Sequence, residues 1–135
     1  MNKKYNERYE ILKHLGSGSI GSVFHVKNTK TDGYYALKTL PASKINAVDL
    51  KSFQSEFDTL KKLDHPNICH VFDAGFNASD ESYYLVTEFI QGQNLYEYTA
   101  GLTIDQIEEL FVQALRAFNY LHQQSIIHLD VKPQN

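Results

Sequence analysis

The final eight residues, 128–135, contain the side chains best suited to chemistry. Asp130 and Lys132 are two positions apart, so an extended loop could present both on one side, and Asn135 follows three positions later. Pro133 opposes a helix because it lacks an N–H donor and fixes φ. The carboxylate could orient a hydroxyl, the cation could neutralise negative charge, and the amide could bind a metal. Together these groups suit metal-assisted transfer of a charged group. The same short pattern also occurs in ordinary polar loops, so the rest of the chain decides between the two.

A glycine-rich segment at residues 16–23 has the pattern G-x-G-x-x-G-x-V. Glycine lets the backbone approach a ligand closely, and free N–H groups in such a loop can bind phosphate oxygens. A dinucleotide-binding fold shows a similar pattern, but it requires a helix to follow. Residues 22–27 instead alternate polar and apolar side chains, which predicts a strand. We therefore expect a flap between two antiparallel strands, lying over a nucleotide.

Two ionisable residues downstream of the flap are candidates for the same site. Residues 34–40 predict a strand that places Lys38 among apolar neighbours. A strand lysine is commonly solvated, but one that follows a glycine flap is a candidate phosphate ligand. Apolar residues at spacings of three and four predict a helix from about 49 to 63, with Glu56 at the margin of its apolar stripe. Glu56 is either a partner for Lys38 or a solvated helix residue.

The remaining elements are three further strands and two further helices. Strands are predicted at 9–15, 68–74 and 82–88, a short helix at 94–100, and a glycine-containing linker after residue 88. A long helix begins after Thr103 and ends near residue 123, and Thr103 with Gln106 has the spacing of a capping box.

Composition excludes several classes of function. The 135 residues are 42% hydrophobic, which is enough for one core, and the net charge of −3 comes from mixed charges without a basic run. No nucleic-acid or membrane partner is therefore expected. The single cysteine, Cys69, excludes an internal disulfide or a thiolate metal cluster, and its apolar surroundings predict a buried structural thiol. Neither a secretory signal nor a run of about 18 apolar residues is found, so a cytoplasmic protein is expected.

In chain order these features resemble the eukaryotic-type protein kinase family, in its serine/threonine branch. The likeness extends from Tyr9 to Asn135 and consists of the flap at 16–23, the strand with Ala36-Leu37-Lys38, Glu56, the His65-Pro66-Asn67-Ile68 turn, the Glu88-Phe89-Ile90 linker and the final loop. It implies an α+β fold of the protein-kinase type, with a five-stranded antiparallel N-lobe sheet, one helix, and the first helices of an incomplete C-lobe. It also implies an N-terminal tail at 1–8, an ATP-binding N-lobe at 9–90, and a linker with the start of the C-lobe at 91–135.

The resemblance further implies ATP and Mg²⁺ as cofactors and a role for each site residue. Asp130 would be the catalytic base, Lys132 a contact of the γ-phosphate and Asn135 a ligand of Mg²⁺. Lys38 would contact the α and β phosphates and pair with Glu56. The other nucleotide contacts would come from Leu15, Gly16, Ser17, Gly18, Ser19, Ile20, Gly21, Ser22, Val23, Ala36, the gatekeeper Thr87, and the backbone of Glu88 and Ile90.

Three departures from the family pattern bear on activity. Leu129 replaces the arginine that usually precedes the catalytic aspartate, so activation through a phosphate on the activation loop is not supported. Asn94 and Gln134 are uncharged where members that prefer basic substrates often carry acids. The second metal-binding aspartate, the activation segment and most of the C-lobe do not occur among these 135 residues.

Different functions are compatible with this pattern. The first is a serine/threonine kinase that transfers phosphate from ATP to protein hydroxyls, with these 135 residues binding ATP weakly and inactive alone. The alternative is a kinase-like module that binds nucleotide or a partner protein without catalysis. The helix at 103–123 is also expected to expose an apolar stripe and to mediate self-association. The stripe consists of Ile104, Ile107, Leu110, Phe111, Leu115, Phe118 and Leu121.

Overall fold

The computed structural model describes residues 4–18, 21–44, 55, 57–127 and 131–132. The chain divides into two units, Met1–Leu63 with Cys69–Ile90, and Asp64–Ile68 with Gln91–Asn135. The first unit is built on an antiparallel sheet and the second on a long helix. Within the described part of the chain, no helix combines the length and the apolar character needed to cross a bilayer.

The sheet of the first unit has six strands in the order β1-β2-β3-β4-β6-β5, and all neighbouring pairs are antiparallel. The strands are β1 (Lys4–Tyr5), β2 (Tyr9–Ser17), β3 (Ser22–Asn28), β4 (Tyr34–Pro41), β5 (Val71–Asn77) and β6 (Ser82–Glu88). The α+β class is as expected, but the sheet has one strand more than the five predicted. The additional strand, β1, lies in the segment expected to be a tail, because two residues are too few to show an alternating pattern.

Tight turns join β1 to β2 and β3 to β4. Asn6 and Glu7 between β1 and β2 have φ of 49° and 51°, in the left-handed region that asparagine tolerates better than most residues. Between β3 and β4 the N–H of Asn28 donates to the carbonyl of Gly33 at 2.8 Å. Asp32 and Gly33 close this turn, with Asp32 at a φ of 56°.

One face of the sheet, which we call the core face, holds the hydrophobic core of the first unit. Tyr9, Val26, Leu37 and Val86 are almost completely buried there. In register, Leu37 on β4 lies opposite Val86 on β6, so both side chains project to this face. Because successive side chains of a strand alternate between faces, Lys38 lies on the opposite face.

A polar and aromatic cluster closes the core face. Asp73 on β5 accepts hydrogen bonds from Arg8 Nη1 and from the Tyr9 hydroxyl, each at 2.8 Å. The Tyr5 hydroxyl lies 2.6 Å from Ser82 Oγ, and both residues are buried. Burial is the main cause that raises the pKa of Tyr9, and the contact with Asp73 raises it further. Since β1 and β2 lie at one end of the strand order and β5 at the other, these contacts require the sheet to be curled.

Only the end of the predicted helix at 49–63 lies among the described residues. Residues 57–60 are helical, and the N–H of Lys61 donates to the carbonyl of Phe57 at 2.9 Å. Leu63 after this segment is buried. The earlier part of the predicted helix, including Glu56, falls outside the described residues.

The second unit contains a short helix, α1 (Leu95–Tyr98), a 3₁₀ turn at Thr99–Gly101 and a long helix, α2 (Ile104–Gln123). Both halves of the predicted capping box are present at the start of α2. The Gln106 N–H donates to Thr103 Oγ1 at 3.4 Å, and the Thr103 N–H donates to Gln106 Oε1 at 3.0 Å. The box satisfies two backbone donors that a helix start would leave without partners.

The segment Asp64–Ile68 packs against α2. The N–H of Asp64 donates to the Tyr120 hydroxyl at 3.1 Å, and Asn67 Nδ2 donates to Gln113 Oε1 at 3.1 Å. These contacts explain why the segment belongs to the second unit although it precedes β5 in the chain.

Candidate functional site

The face of the sheet opposite the core face carries several of the predicted site residues, and we call it the Lys38 face. In register, Lys38 on β4 lies opposite Val23 on β3, and Val23 lies opposite Gly16 on β2. Ala36, two residues before Lys38, lies opposite Thr87 on β6. Cross-strand partners and residues two apart on one strand share a face. Five predicted site residues from four strands therefore lie on one side of the sheet.

The side chains on the Lys38 face are less buried than those on the core face. Val23, Ala36 and Thr87 are half-buried, whereas Lys38 is exposed. Leu15, predicted to pack on a base, is 43% exposed and lies where the β2–β3 register shifts. An exposed ammonium beside half-buried apolar side chains suits a ligand with an anionic part and an apolar part. The pairing of Lys38 with Glu56 falls outside the described residues.

The glycine-rich segment is a hairpin between β2 and β3, as its sequence predicts. Strand pairing continues to Ser17 opposite Ser22, whose hydroxyl oxygens are 3.0 Å apart. The N–H of Gly18 donates to the carbonyl of Gly21 at 2.8 Å and narrows the hairpin. The tip residues, Ser19 and Ile20, lie outside the described residues.

The three glycines of the hairpin have different surroundings. A Cβ added at Gly21 would lie 2.0 Å from the carbonyl oxygen of Thr39, so the approach of the hairpin to β4 requires a glycine there. A Cβ added at Gly16 or Gly18 would meet no atom within 4 Å. Open space beside those two backbones is what a phosphate group lying against the flap requires.

The linker that follows β6 begins with a well-anchored backbone. The N–H of Glu88 donates to the carbonyl of His70 at 2.9 Å, and the carbonyl of Glu88 accepts from Thr87 Oγ1 at 3.2 Å. That carbonyl also accepts from Cys69 Sγ at 3.5 Å. Ile90 is exposed.

The prediction that Cys69 is buried is wrong, because the residue is exposed. Partial desolvation of its sulfur raises the pKa of the thiol, and a hydrogen bond to Thr87 opposes this shift. The thiolate form is therefore disfavoured, which argues against a nucleophile at this position.

Most of the predicted catalytic loop falls outside the described residues, including Asp130, Asn135 and Leu129. Lys132 is described and exposed.

Sequence reasoning did not single out the contact between His25 and Phe89. The two rings are stacked, with centroids 3.9 Å apart and planes inclined by 18°. His25 lies opposite Ala36 and therefore on the Lys38 face, while Phe89 belongs to the linker. The alternation of β3 already places His25 on the same side as Val23, but no local pattern indicates that it reaches a residue 64 positions away.

Comparison with known proteins agrees with this fold. The protein kinase domain family matches residues 9–135. The chain is 34% identical to serine/threonine-protein kinase PrkC of Bacillus subtilis (strain 168), over 98% of this chain and 21% of that protein. It is 32% identical to serine/threonine-protein kinase 36 of Pongo abelii, over 96% of this chain and 10% of that protein. The chain thus spans between about a tenth and a fifth of the length of these two relatives.

A solved structure extends the comparison to three dimensions. The crystal structure of the kinase domain of Mycobacterium tuberculosis PknI superposes with a TM-score of 0.79 at 26% identity. The likeness covers 94% of this chain and 53% of that one. The kinase-like fold expected from the motifs is therefore confirmed. Both relatives bear the name of a serine/threonine-protein kinase. The family match over residues 9–135 establishes that the chain belongs to the protein kinase family.

Proposed function

We propose that this chain is the ATP-binding part of a serine/threonine protein kinase, with the Lys38 face of the sheet as its nucleotide site. The observation that carries this proposal is the common face of Gly16, Val23, Ala36, Lys38 and Thr87. These residues come from four strands and were selected from motifs, yet they converge on one side of the sheet.

The residues on this face fit the parts of ATP. Val23 and Ala36 offer half-buried apolar surface for the adenine ring, and Leu15 would cover it from β2. The open backbone at Gly16 and Gly18 would lie against the phosphates. Lys38 would neutralise the α and β phosphates, since it is a positive charge on a flexible stem and its side chain is exposed on this face.

The linker would bind the edge of the adenine ring through the backbone of Glu88 and Ile90. The carbonyl of Glu88 already accepts from Thr87 and, over a longer distance, from Cys69. A carbonyl oxygen has two lone pairs, so an adenine amino group that donates there would displace at least one of these contacts. The thiol contact at 3.5 Å is the weaker and is the one expected to give way.

For phosphoryl transfer we assign Asp130 as the base that orients the substrate hydroxyl and Lys132 as the cation beside the γ-phosphate. This assignment rests on the match of the final loop to the family pattern. Asn135 is the corresponding Mg²⁺ ligand, and the bound ion would neutralise charge on the phosphates. A positioned base contributes about 10²–10⁴-fold in rate. We propose protein serine or threonine hydroxyls as substrates and the cytoplasm as the location.

Calorimetric titration with ATP tests the nucleotide site. The wild-type chain should bind ATP weakly, and Lys38→Ala should reduce the affinity at least tenfold, because the phosphates lose their cation. Lys30→Ala is the matched control, since it removes the same charge from the β3–β4 turn, at the other end of β3 from the flap. Equal ATP affinity in the wild type and Lys38→Ala would exclude Lys38 from the site.

A radiolabel transfer assay separates the kinase from the binding module without catalysis. These 135 residues alone are expected to remain at background. In a protein that contains them and transfers phosphate, Asp130→Asn should abolish the transfer while ATP binding persists. Transfer that survives Asp130→Asn would overturn the assignment of the base.

We also propose that α2 mediates self-association. Ile104, Phe111 and Leu115 are 76%, 54% and 62% exposed, and they lie within about 40° of one another around the helix. Other members of the predicted stripe are less exposed, and Leu121 is buried. Acidic residues lie in the first half of α2 and Arg116 in its second half, so antiparallel pairing of two copies brings opposite charges together.

Light scattering over a concentration series tests this association. Leu115→Glu should shift the chain to monomer, because it places a charge within the apolar contact. Gln113→Glu is the control, since it adds the same charge about 180° from Ile104 and still accepts from Asn67. A wild-type chain that stays monomeric at high concentration contradicts the proposal.

A further inference from the structure

The stack between His25 and Phe89 connects the strand after the flap to the linker after β6. The ring centroids are 3.9 Å apart and the planes are nearly parallel at 18°. Tyr34 also packs beside His25, with ring centroids 5.7 Å apart. His25 is therefore enclosed by aromatic rings from β4 and from the linker.

The imidazole of His25 contributes packing at this position more than hydrogen bonding. Its Nε2 is buried and has no hydrogen-bond partner among the described residues. A phenyl ring could keep the stack without leaving a buried polar atom unsatisfied. This property provides a rescue variant, because His25→Phe retains the contact and His25→Ala removes it.

The position of the stack gives it a consequence for the linker. Residues 89–91 have no regular secondary structure. The hydrogen bond from the Glu88 N–H to the His70 carbonyl anchors the backbone only where this segment begins. Phe89 is the next residue, and its ring is held by His25. The same stretch contains Ile90, whose backbone we assigned to the adenine edge. Removing the stack would leave that backbone without its side-chain anchor.

We propose that His25 and Phe89 are a positioning pair that holds the linker backbone in register with the purine and thereby sets the preference for adenine over guanine. This inference rests on the proposed ATP site. Hydrogen bonds weaken steeply with small changes in distance and angle, so recognition of the base edge depends on a fixed linker. The phosphate contacts come from the flap and Lys38, and they do not depend on the linker. Loss of the stack should therefore weaken base recognition and leave phosphate binding unchanged.

The main test compares three probes, ATP, GTP and inorganic tripolyphosphate, by calorimetry on the whole chain. His25→Ala and Phe89→Ala should each weaken ATP binding roughly 3- to 10-fold, the range of a single aromatic contact. Binding of GTP and tripolyphosphate should not change, so the ratio of ATP to GTP affinity falls by the same factor. His25→Phe should restore the ratio, which loss of general stability would not explain.

Phe76→Ala is the matched control. It removes another aromatic contact, to Tyr83 at 4.9 Å on the β5–β6 hairpin, and should leave the ratio unchanged. An unchanged ratio in His25→Ala, or a reduced ratio in His25→Phe equal to that in His25→Ala, overturns the proposal.

Hydrogen exchange in the nucleotide-free chain examines the linker directly. The amides of Phe89 and Ile90 should exchange faster in His25→Ala than in the wild type or His25→Phe. Unchanged exchange there shows that the stack does not position the linker. If the wild type binds no ATP, the proposed function fails and the claim about base preference fails with it, whereas the exchange result still decides the positioning.

Discussion

The two faces of the sheet differ in what their residues contribute. On the core face, Leu37 and Val86 are completely buried, and each lies opposite the other across β4 and β6. On the Lys38 face the neighbouring residues, Ala36 and Lys38, are half-buried and exposed. Successive residues of one strand therefore serve different purposes, one in the core and the next at a candidate ligand site.

This difference indicates that stability and ligand binding are separable within the first unit. Alternation along a strand makes the separation possible, since a change at one position projects to only one face. The polar cluster around Asp73 also belongs to the core face, and it joins Arg8 and Tyr9 to β5. Substitutions on the two faces should accordingly give different experimental signatures.

The largest expected effect is at adjacent positions of β4. Leu37→Ala should lower the free energy of unfolding by roughly 2–5 kcal/mol, because a fully buried leucine is replaced by a cavity. Lys38→Ala should leave it nearly unchanged, since the lysine is exposed. Chemical denaturation of both variants measures the difference. Equal losses in the two variants would show that the faces are not independent.

A smaller effect is expected from Asp73. Asp73→Ala leaves Arg8 and the buried Tyr9 hydroxyl without their acceptor, which should cost about 1–3 kcal/mol of unfolding free energy. Asp32→Asn is the control, because it removes the charge paired with Lys27 at the surface, keeps a side chain that tolerates the positive φ, and should cause no measurable change. If the two aspartate variants unfold at the same denaturant concentration, the cluster does not stabilise the sheet.

The flap glycines offer a test of the Lys38 face. Gly21→Ala should destabilise the chain by about 1 kcal/mol or more, because its Cβ would collide with the backbone of Thr39. Gly18→Ala meets open space and should reduce ATP affinity with little loss of stability. Thermal unfolding and ATP titration of both variants separate the two outcomes. The interpretation fails if Gly18→Ala is the less stable variant.

The smallest expected effect is a dependence on alkaline pH. Burial raises the pKa of Tyr5, Tyr9 and Tyr84 above the ordinary value of 10.0. The unfolded chain then loses these protons at lower pH than the folded one, so their contribution is complete below about pH 10 and declines as pH rises further. Unfolding free energy should be level from about pH 7 to 9 and fall above pH 10.

Tyr9→Phe should make this alkaline decline shallower, whereas Tyr96→Phe, at an exposed tyrosine of α1, should not alter it. Denaturation curves measured at a series of pH values give the slope of the unfolding free energy against pH for each variant. The same slope in Tyr9→Phe as in the wild type would contradict the role of burial.

Local patterns in the sequence were sufficient to predict most of the described strands and helices. The β6 strand was predicted with its observed bounds, and the Thr103 capping box and the flap hairpin are present as expected. These features depend on residues a few positions apart, where alternation, helical spacing and capping act directly. The strand β1 was missed because a two-residue strand exists only through its pairing with β2.

Site residues were harder to predict where they depend on contacts distant in the chain. The motifs identified Lys38, Ala36 and Thr87 one by one, but only the strand register places them on one face. The exposure of Cys69 could not be inferred from its apolar neighbours, since burial depends on what packs against the strand from elsewhere. The roles of Glu56, Asp130 and Asn135 stay predictions that rest on the family pattern.

The sequence by itself determined the family, the order of the described elements other than β1, and which residues are candidates for the nucleotide site, because these follow from short motifs and local periodicity. Only the tertiary structure decided which other residues lie next to those candidate residues. The stack of His25 on Phe89 and the contact of Tyr5 with Ser82 join residues that are far apart in the chain. Such contacts result from strand order and sheet curvature, which are properties of the whole packed unit and leave no pattern in any one segment.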